Sequence, residues 1–121
     1  MKSYRDLLVW QKSIQLVKAV YTQTKSFPKE ELYGLTSQLR RCAVSVPSNI
    51  AEGYGRGSRQ DYIRFLQIAR GSLYEVQTQL VIAAELGFLT EEENQFLEAD
   101  AHELERMLNR LISRLNESSG P

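Results

Sequence analysis

Few residues of this chain have the types and spacing to do chemistry. His102 is its single histidine, and on a helix it would lie near Glu98 and Glu105. A carboxylate-bridged di-iron bundle needs a Glu-x-x-His pair on each of two helices. One histidine cannot supply them, and the residue three before it is Ala99. A surface histidine in an acidic helix is the expectation. Cys42, the single cysteine, falls on an apolar helical seam, where a small buried hydrophobe belongs. No histidine is near it in any predicted element, so a thiol nucleophile is not expected. Gly53-x-Gly55-x-Gly57 could suggest a phosphate cradle, but no strand precedes it and no Lys-Ser/Thr pair follows in the P-loop arrangement. It reads instead as a flexible joint whose glycines allow positive backbone angles and close helix approach. The sequence predicts no catalytic residue, no metal site and no cofactor.

Binding chemistry is better represented. Gln38, Arg41, Ser45, Ser48 and Glu52 recur at spacings of three and four, a polar stripe along one side of a helix. Asn49 falls near the apolar seam of that helix, between Val46 and Gly53. Two readings stand. In the structural one, serine and asparagine side chains satisfy carbonyls released by Pro47, and Arg41 and Glu52 pair with neighbouring subunits. In the other, the stripe lines a polar pocket or channel of an oligomer. A second set is basic. Arg40, Arg41, Arg56, Arg59, Arg64 and Arg70 fall in one third of the chain, offset there only by Glu52 and Asp61. Arg59, Ile63, Arg70 and Tyr74 share a helical face, and Tyr54 and Arg56 lie in the adjoining joint. Arginine with exposed aromatics suits phosphate contact and base stacking. It equally suits a protein interface.

These residues need helices to position them. The first is predicted over about Tyr4 to Lys25, with Leu7, Trp10, Ile14, Val17 and Tyr21 as its seam and Ser3/Asp6 as its capping box. Phe27-Pro28 ends it. The second runs from about Lys29 to Gly53 along Leu32, Leu35, Leu39, Cys42, Val46 and Ile50, and continues, bent, past Pro47. The third, about 59 to 86, begins at the Ser58/Asp61 cap. Its seam is Tyr62, Leu66, Ala69, Leu73, Val76, Leu80 and Ala83, an unbroken alternation of four and three. Gly87 is placed as its C-terminal cap. The fourth, about 90 to 116, opens on the Thr90/Glu93 capping box and buries Leu97, Ala101, Leu104, Leu108, Leu111 and Leu115. Residues 117–121 read as a disordered tail. No segment alternates with period two, so the fold class is all-α, an antiparallel up-down four-helix bundle in a single domain over 1–121.

Apolar residues exceed what one seam per helix needs: Val9, Leu16, Val20, Ile63, Phe65, Ile68, Ile82, Phe96, Met107 and Ile112 remain. Some widen the core-facing stripe, and the rest predict self-association. Formal net charge is zero, which argues against strong nonspecific nucleic-acid binding. The charge is unevenly spread. Residues 1–89 hold 12 Lys/Arg against 7 Asp/Glu, and residues 90–121 hold 3 against 8. Pairing between a basic and an acidic helix, within a chain or between subunits, is the plain expectation. A lone cysteine and the lack of a membrane-length apolar run point to a cytoplasmic protein with no membrane contact.

Several motifs resemble one family. They are Leu8-Val9-Trp10-Gln11-Lys12, Phe27-Pro28 with Glu31, Tyr33-Gly34-Leu35-Thr36, the block from Gln38 to Gly57, and Ala69-Arg70-Gly71-Ser72-Leu73 with Glu75. The chain resembles the four-helix-bundle proteins encoded within intervening sequences of bacterial 23S ribosomal RNA genes. The resemblance implies an antiparallel bundle assembling as a ring-like homopentamer. More distantly, it implies kinship with the accessory protein of diversity-generating retroelements, a basic pentamer that works with a reverse transcriptase and nucleic acid. The expected function is a non-enzymatic scaffold or binding module whose partners are itself and RNA or DNA. The alternative is a structural or protein-partner module with no nucleic-acid contact.

Overall fold

The computed structural model describes residues 2–117. A 3-10 turn over Tyr4–Asp6 leads into α1, Leu8–Thr24. A second 3-10 turn, Lys29–Glu31, precedes α2, Leu35–Gly55, and then come α3, Arg59–Glu85, and α4, Glu91–Glu117. No strand occurs among the described residues. Each helix packs on two neighbours, in the cycle α1–α2–α3–α4–α1, and no diagonal pair comes as close. Every neighbouring pair is antiparallel. Arg40, early in α2, reaches Thr24 at the end of α1. Cys42 and Ser45 face Gln79 and Ser72. Arg70 and Gln77 of α3 meet Asn109 and Glu105 of α4. Val9, at the start of α1, lies in a groove with Leu111, near the end of α4.

The caps follow their sequence signals. Thr90 Oγ1 accepts from the Glu93 N–H at 3.0 Å while Glu93 Oε1 accepts from the Thr90 N–H at 2.9 Å, the reciprocal box that satisfies two orphan donors. Ser58 Oγ accepts from the Asp61 N–H at 3.1 Å. At the end of α3, Phe88 N–H reaches the Ala83 carbonyl and Gly87 N–H the Ala84 carbonyl. Gly87 has φ of 79°, which completes a Schellman cap that only glycine forms without strain. Ser3 also caps, but only the 3-10 turn. Leu7 then turns extended and inward to bury its side chain, so α1 starts at Leu8 and not at Tyr4. The second helix likewise begins later than expected, at Leu35, because residues 29–31 form the 3-10 turn. The last helix includes Glu117, and residues 118–121 of the expected tail lie outside the described residues.

The seams of α2, α3 and α4 hold in outline. Leu66, Ala69, Leu73, Val76, Leu80 and Ala83 are all fully buried. Late in α4, Ile112 takes the inward position and Leu111 and Leu115 drift to the edge, since a 3.6-residue helix slips against a 3.5-residue repeat. Leu32 is 48% exposed because it precedes α2. The α1 seam needs correction. Its inward line is Val9, Ser13, Leu16, Val20 and Thr24, while Trp10, Ile14 and Val17 are half-buried and Tyr21 is exposed. Ser13 and Thr24 disguise that line. Both are polar, yet both are buried because their hydroxyls donate to the Trp10 and Val20 carbonyls.

α2 runs through Pro47 to Gly55. The proline cannot donate to the Ala43 carbonyl. Ser48 Oγ and Asn49 Nδ2 donate to the next carbonyls, those of Val44 and Ser45, at 2.9 and 2.8 Å. Gly53 and Gly55 are helical, so the joint shrinks to Arg56–Ser58, with Gly57 at φ of 87°. Gly53 serves packing instead. A Cβ there would lie 2.6 Å from Phe65 Cβ, so α2 and α3 touch backbone to side chain at this level.

Candidate functional site

α2 and α3 enclose a groove of about 490 Å³ lined by Gln38, Arg41, Cys42 and Ser45 from one helix and Ser72, Glu75 and Gln79 from the other. Three members of the predicted polar stripe lie here. The other two diverge: Ser48 lines an apolar groove against α1, and Glu52 pairs with Arg56 at 2.8 Å on the same helix. At the base of the polar groove Ser45 Oγ and Ser72 Oγ are 2.8 Å apart, and Asn49 Nδ2 donates to Ser45 Oγ at 2.9 Å. Asn49 thus braces the serine pair. Cys42 Sγ lies 3.4 Å from the Leu39 carbonyl and 3.8 Å from Gln79 Oε1. Burial, reinforced by the Glu75 carboxylate, pushes its thiol up to about 11, so at neutral pH it is protonated and a poor nucleophile. Ser72, Glu75 and Gln79 were not among the predicted site residues. Their signal was a second polar line on α3, at spacings of three and four, beside its apolar seam.

The arginines do not share one surface. Arg40 turns toward α1, where its Nε donates to Thr24 Oγ1 at 2.8 Å and its guanidinium lies 4.8 Å from the Tyr21 ring centroid. Arg41 lines the polar groove. Arg70 donates to Asn109 Oδ1 at 2.9 Å, and Tyr74 donates to Glu105 Oε2 at 3.3 Å, so this pair faces α4. Arg56 and Arg64 both pack on the Phe65 ring, each 4.9 Å from its centroid. Arg56 pairs with Glu52 and Arg64 with Asp61, and both remain exposed, as does Arg59. Tyr54 packs edge-on against Tyr62 in the same region. Three exposed arginines therefore gather at the α2–α3 joint.

His102 is exposed, with Nδ1 3.6 Å from Glu105 Oε1. No group of three or more His, Cys, Asp or Glu side chains among the described residues is placed to hold a metal ion. Among the described residues no helix is long and apolar enough to cross a membrane. Between the basic and acidic parts of the chain, Lys12 of α1 bridges Asp100 and Glu103 of α4 at 2.7 Å each. These contacts raise the lysine pKa and hold the Glu103 carboxyl below its usual range.

No curated protein matches the chain. Among solved structures it is similar to a protein of unknown function from the S23 ribosomal protein family of Bacteroides thetaiotaomicron VPI-5482. The two are 24% identical over 88% of this chain and 96% of the other, with a TM-score of 0.79, which establishes a common fold. The family model described as 23S rRNA-intervening sequence protein matches residues 5–110, from the turn before α1 to the last turns of α4, so this chain belongs to the 23S rRNA-intervening sequence protein family.

Proposed function

We propose that this protein is a non-enzymatic, cytoplasmic, self-associating bundle that works as a scaffold or binding module, with five subunits as the favoured count. The observation that carries this reading is the outer face of α3. Ile68, Tyr74, Val81 and Ile82 are all exposed and fall within an arc of about 140°, opposite the buried seam, when plotted at 3.6 residues per turn. Exposed apolar faces of this kind mark protein interfaces. Light scattering at micromolar concentration tests the reading. The unaltered protein gives the mass of an oligomer, and replacing Val81 and Ile82 with glutamate lowers it. A monomer in both cases removes the proposal.

The arginines at the α2–α3 joint favour a second activity, contact with RNA or DNA. Arg56 and Arg64 are held by one ring, so their positions are restricted before any ligand arrives, and Arg59 adds a third charge nearby. An assembly would present this end several times, and avidity would multiply a weak contact. Replacing Arg56, Arg59 and Arg64 with glutamate abolishes binding under this reading while leaving assembly intact. In variants with single charge losses, the logarithmic salt dependence flattens by about 0.9 for each phosphate contact removed. Gel-shift titration at two salt concentrations reads both effects. No binding by the unaltered protein at low salt leaves the alternative, a structural or protein-partner module without nucleic acid.

A further inference from the structure

We propose that the polar groove between α2 and α3 binds a small zwitterion of the α-amino-acid class, with Arg41 receiving its carboxylate and Glu75 its ammonium group. The register of the two helices places these charges. Ser45 faces Ser72 across the groove. Because the helices are antiparallel, one turn from that pair brings Arg41 onto one wall and Glu75 onto the other at the same level. A further turn brings Gln38 opposite Gln79. Arg41 and Glu75 form no ion pair with each other, and neither makes a hydrogen bond to another described residue. A guanidinium and a carboxylate thus stand across an open cleft with their bonding capacity unused.

Ligand class follows from this arrangement. A simple anion would meet Glu75, and a simple cation would meet Arg41. A molecule carrying both charges one carbon apart satisfies both walls. Arg41 offers the paired N–H groups that fit a carboxylate side by side. Glu75 and the Gln79 carbonyl oxygen accept from an ammonium, and the Gln38 amide and the serine pair are left for polar parts of the ligand. At about 490 Å³ the groove exceeds the head group, leaving room for a side chain. Glu75 falls on the same outer line of α3 as Ile68 and Ile82, seven residues from each, so self-association through that face would compete with binding here.

Thermal unfolding of the full chain in the presence of each proteinogenic amino acid, tested singly, decides the matter. At least one raises Tm by several degrees at about a hundredfold excess over its Kd. The amide of that amino acid, which lacks the carboxylate, and its N-acetyl derivative, which lacks the ammonium, leave Tm unchanged. Arg41→Met and Glu75→Gln each weaken its binding by about 10- to 100-fold in calorimetric titration, the loss of one charge-assisted contact. Both side chains are exposed, so both variants keep the helical circular dichroism of the parent. The proposal is overturned if no amino acid shifts Tm, or if binding survives either substitution. It is equally overturned if Arg41→Met lowers the mass by light scattering while no amino acid binds, since a second copy then covers the groove.

Discussion

Two glycines make opposite predictions from the same residue type. At Gly53 a methyl group would overlap Phe65 Cβ and press on the Tyr62 carbonyl oxygen, 3.3 Å away. Gly53→Ala forces the two most closely packed helices apart and lowers stability by about 1–3 kcal/mol in urea unfolding. At Gly71, in the middle of α3, a methyl group meets nothing within 4 Å. Gly71→Ala therefore gains helix propensity, up to about 1 kcal/mol, in the isolated chain. Assembly through the α3 face would reverse that gain, which a comparison at low and high protein concentration would expose. The alternating glycines announced something unusual, but spacing alone did not separate their roles. Gly57 supplies a positive φ, Gly53 a close contact, and Gly55 is in open space. Cys42 was legible because burial of a small thiol needs only its place on a seam. Its pairing with Gln79 depends on the level at which α3 passes, which no local pattern records.

At the scale of elements, legibility tracks how local the physics is. The Thr90/Glu93 box closes within four residues and is read directly from the sequence. Thr90→Ala removes its half of the box and costs about 1 kcal/mol, measurable as a shift of the urea midpoint with unchanged slope. The α3 seam was equally plain, since its line from Tyr62 to Ala83 is apolar or aromatic throughout and the buried Ser72 lies beside it. α1 was not, because two of its five inward positions are hydroxyl residues that hide their polarity in their own helix. A pattern reader then follows the nearby line through Trp10, Ile14 and Val17, which faces the side groove against α2. The arginines disperse for a related reason: closeness in sequence is not closeness in space, and the 3.6-residue period sends Arg40, Arg41 and Arg70 toward three different neighbours. Only Arg56, Arg59 and Arg64, gathered by the turn itself, stay together.

Beside its apolar core, α4 is held from both sides by contacts of groups that titrate. Hydrogen bonds from Gln77, His102 and Tyr74 keep the Glu105 carboxyl below its usual range. Its contribution is present above the ordinary glutamate value of about 4.3 and is lost as pH falls through the lower folded value. Lys12 runs the other way. Its raised pKa, set first by Asp100, gives a contribution complete below the ordinary lysine value of about 10.4 and lost as pH rises through the folded value. Stability should be flat near neutrality and decline at both extremes. Lys12→Met should lessen the decline on the alkaline side, to which the buried Cys42 thiol also contributes, and Glu105→Gln should blunt that on the acid side, both read from Tm against pH. The up-down path also brings the start of α1 beside the end of α4, where Leu7, Leu8 and Val9 share a groove with Met107 and Leu111. Chain connectivity is therefore separable from architecture. A circular permutant that joins these ends through a short flexible linker and opens the chain between Gly57 and Ser58, with Ser58 retained as the helix cap, should fold to the same bundle. Its helical signal should match the parent, and it would offer new ends beside the joint arginines for attaching a probe.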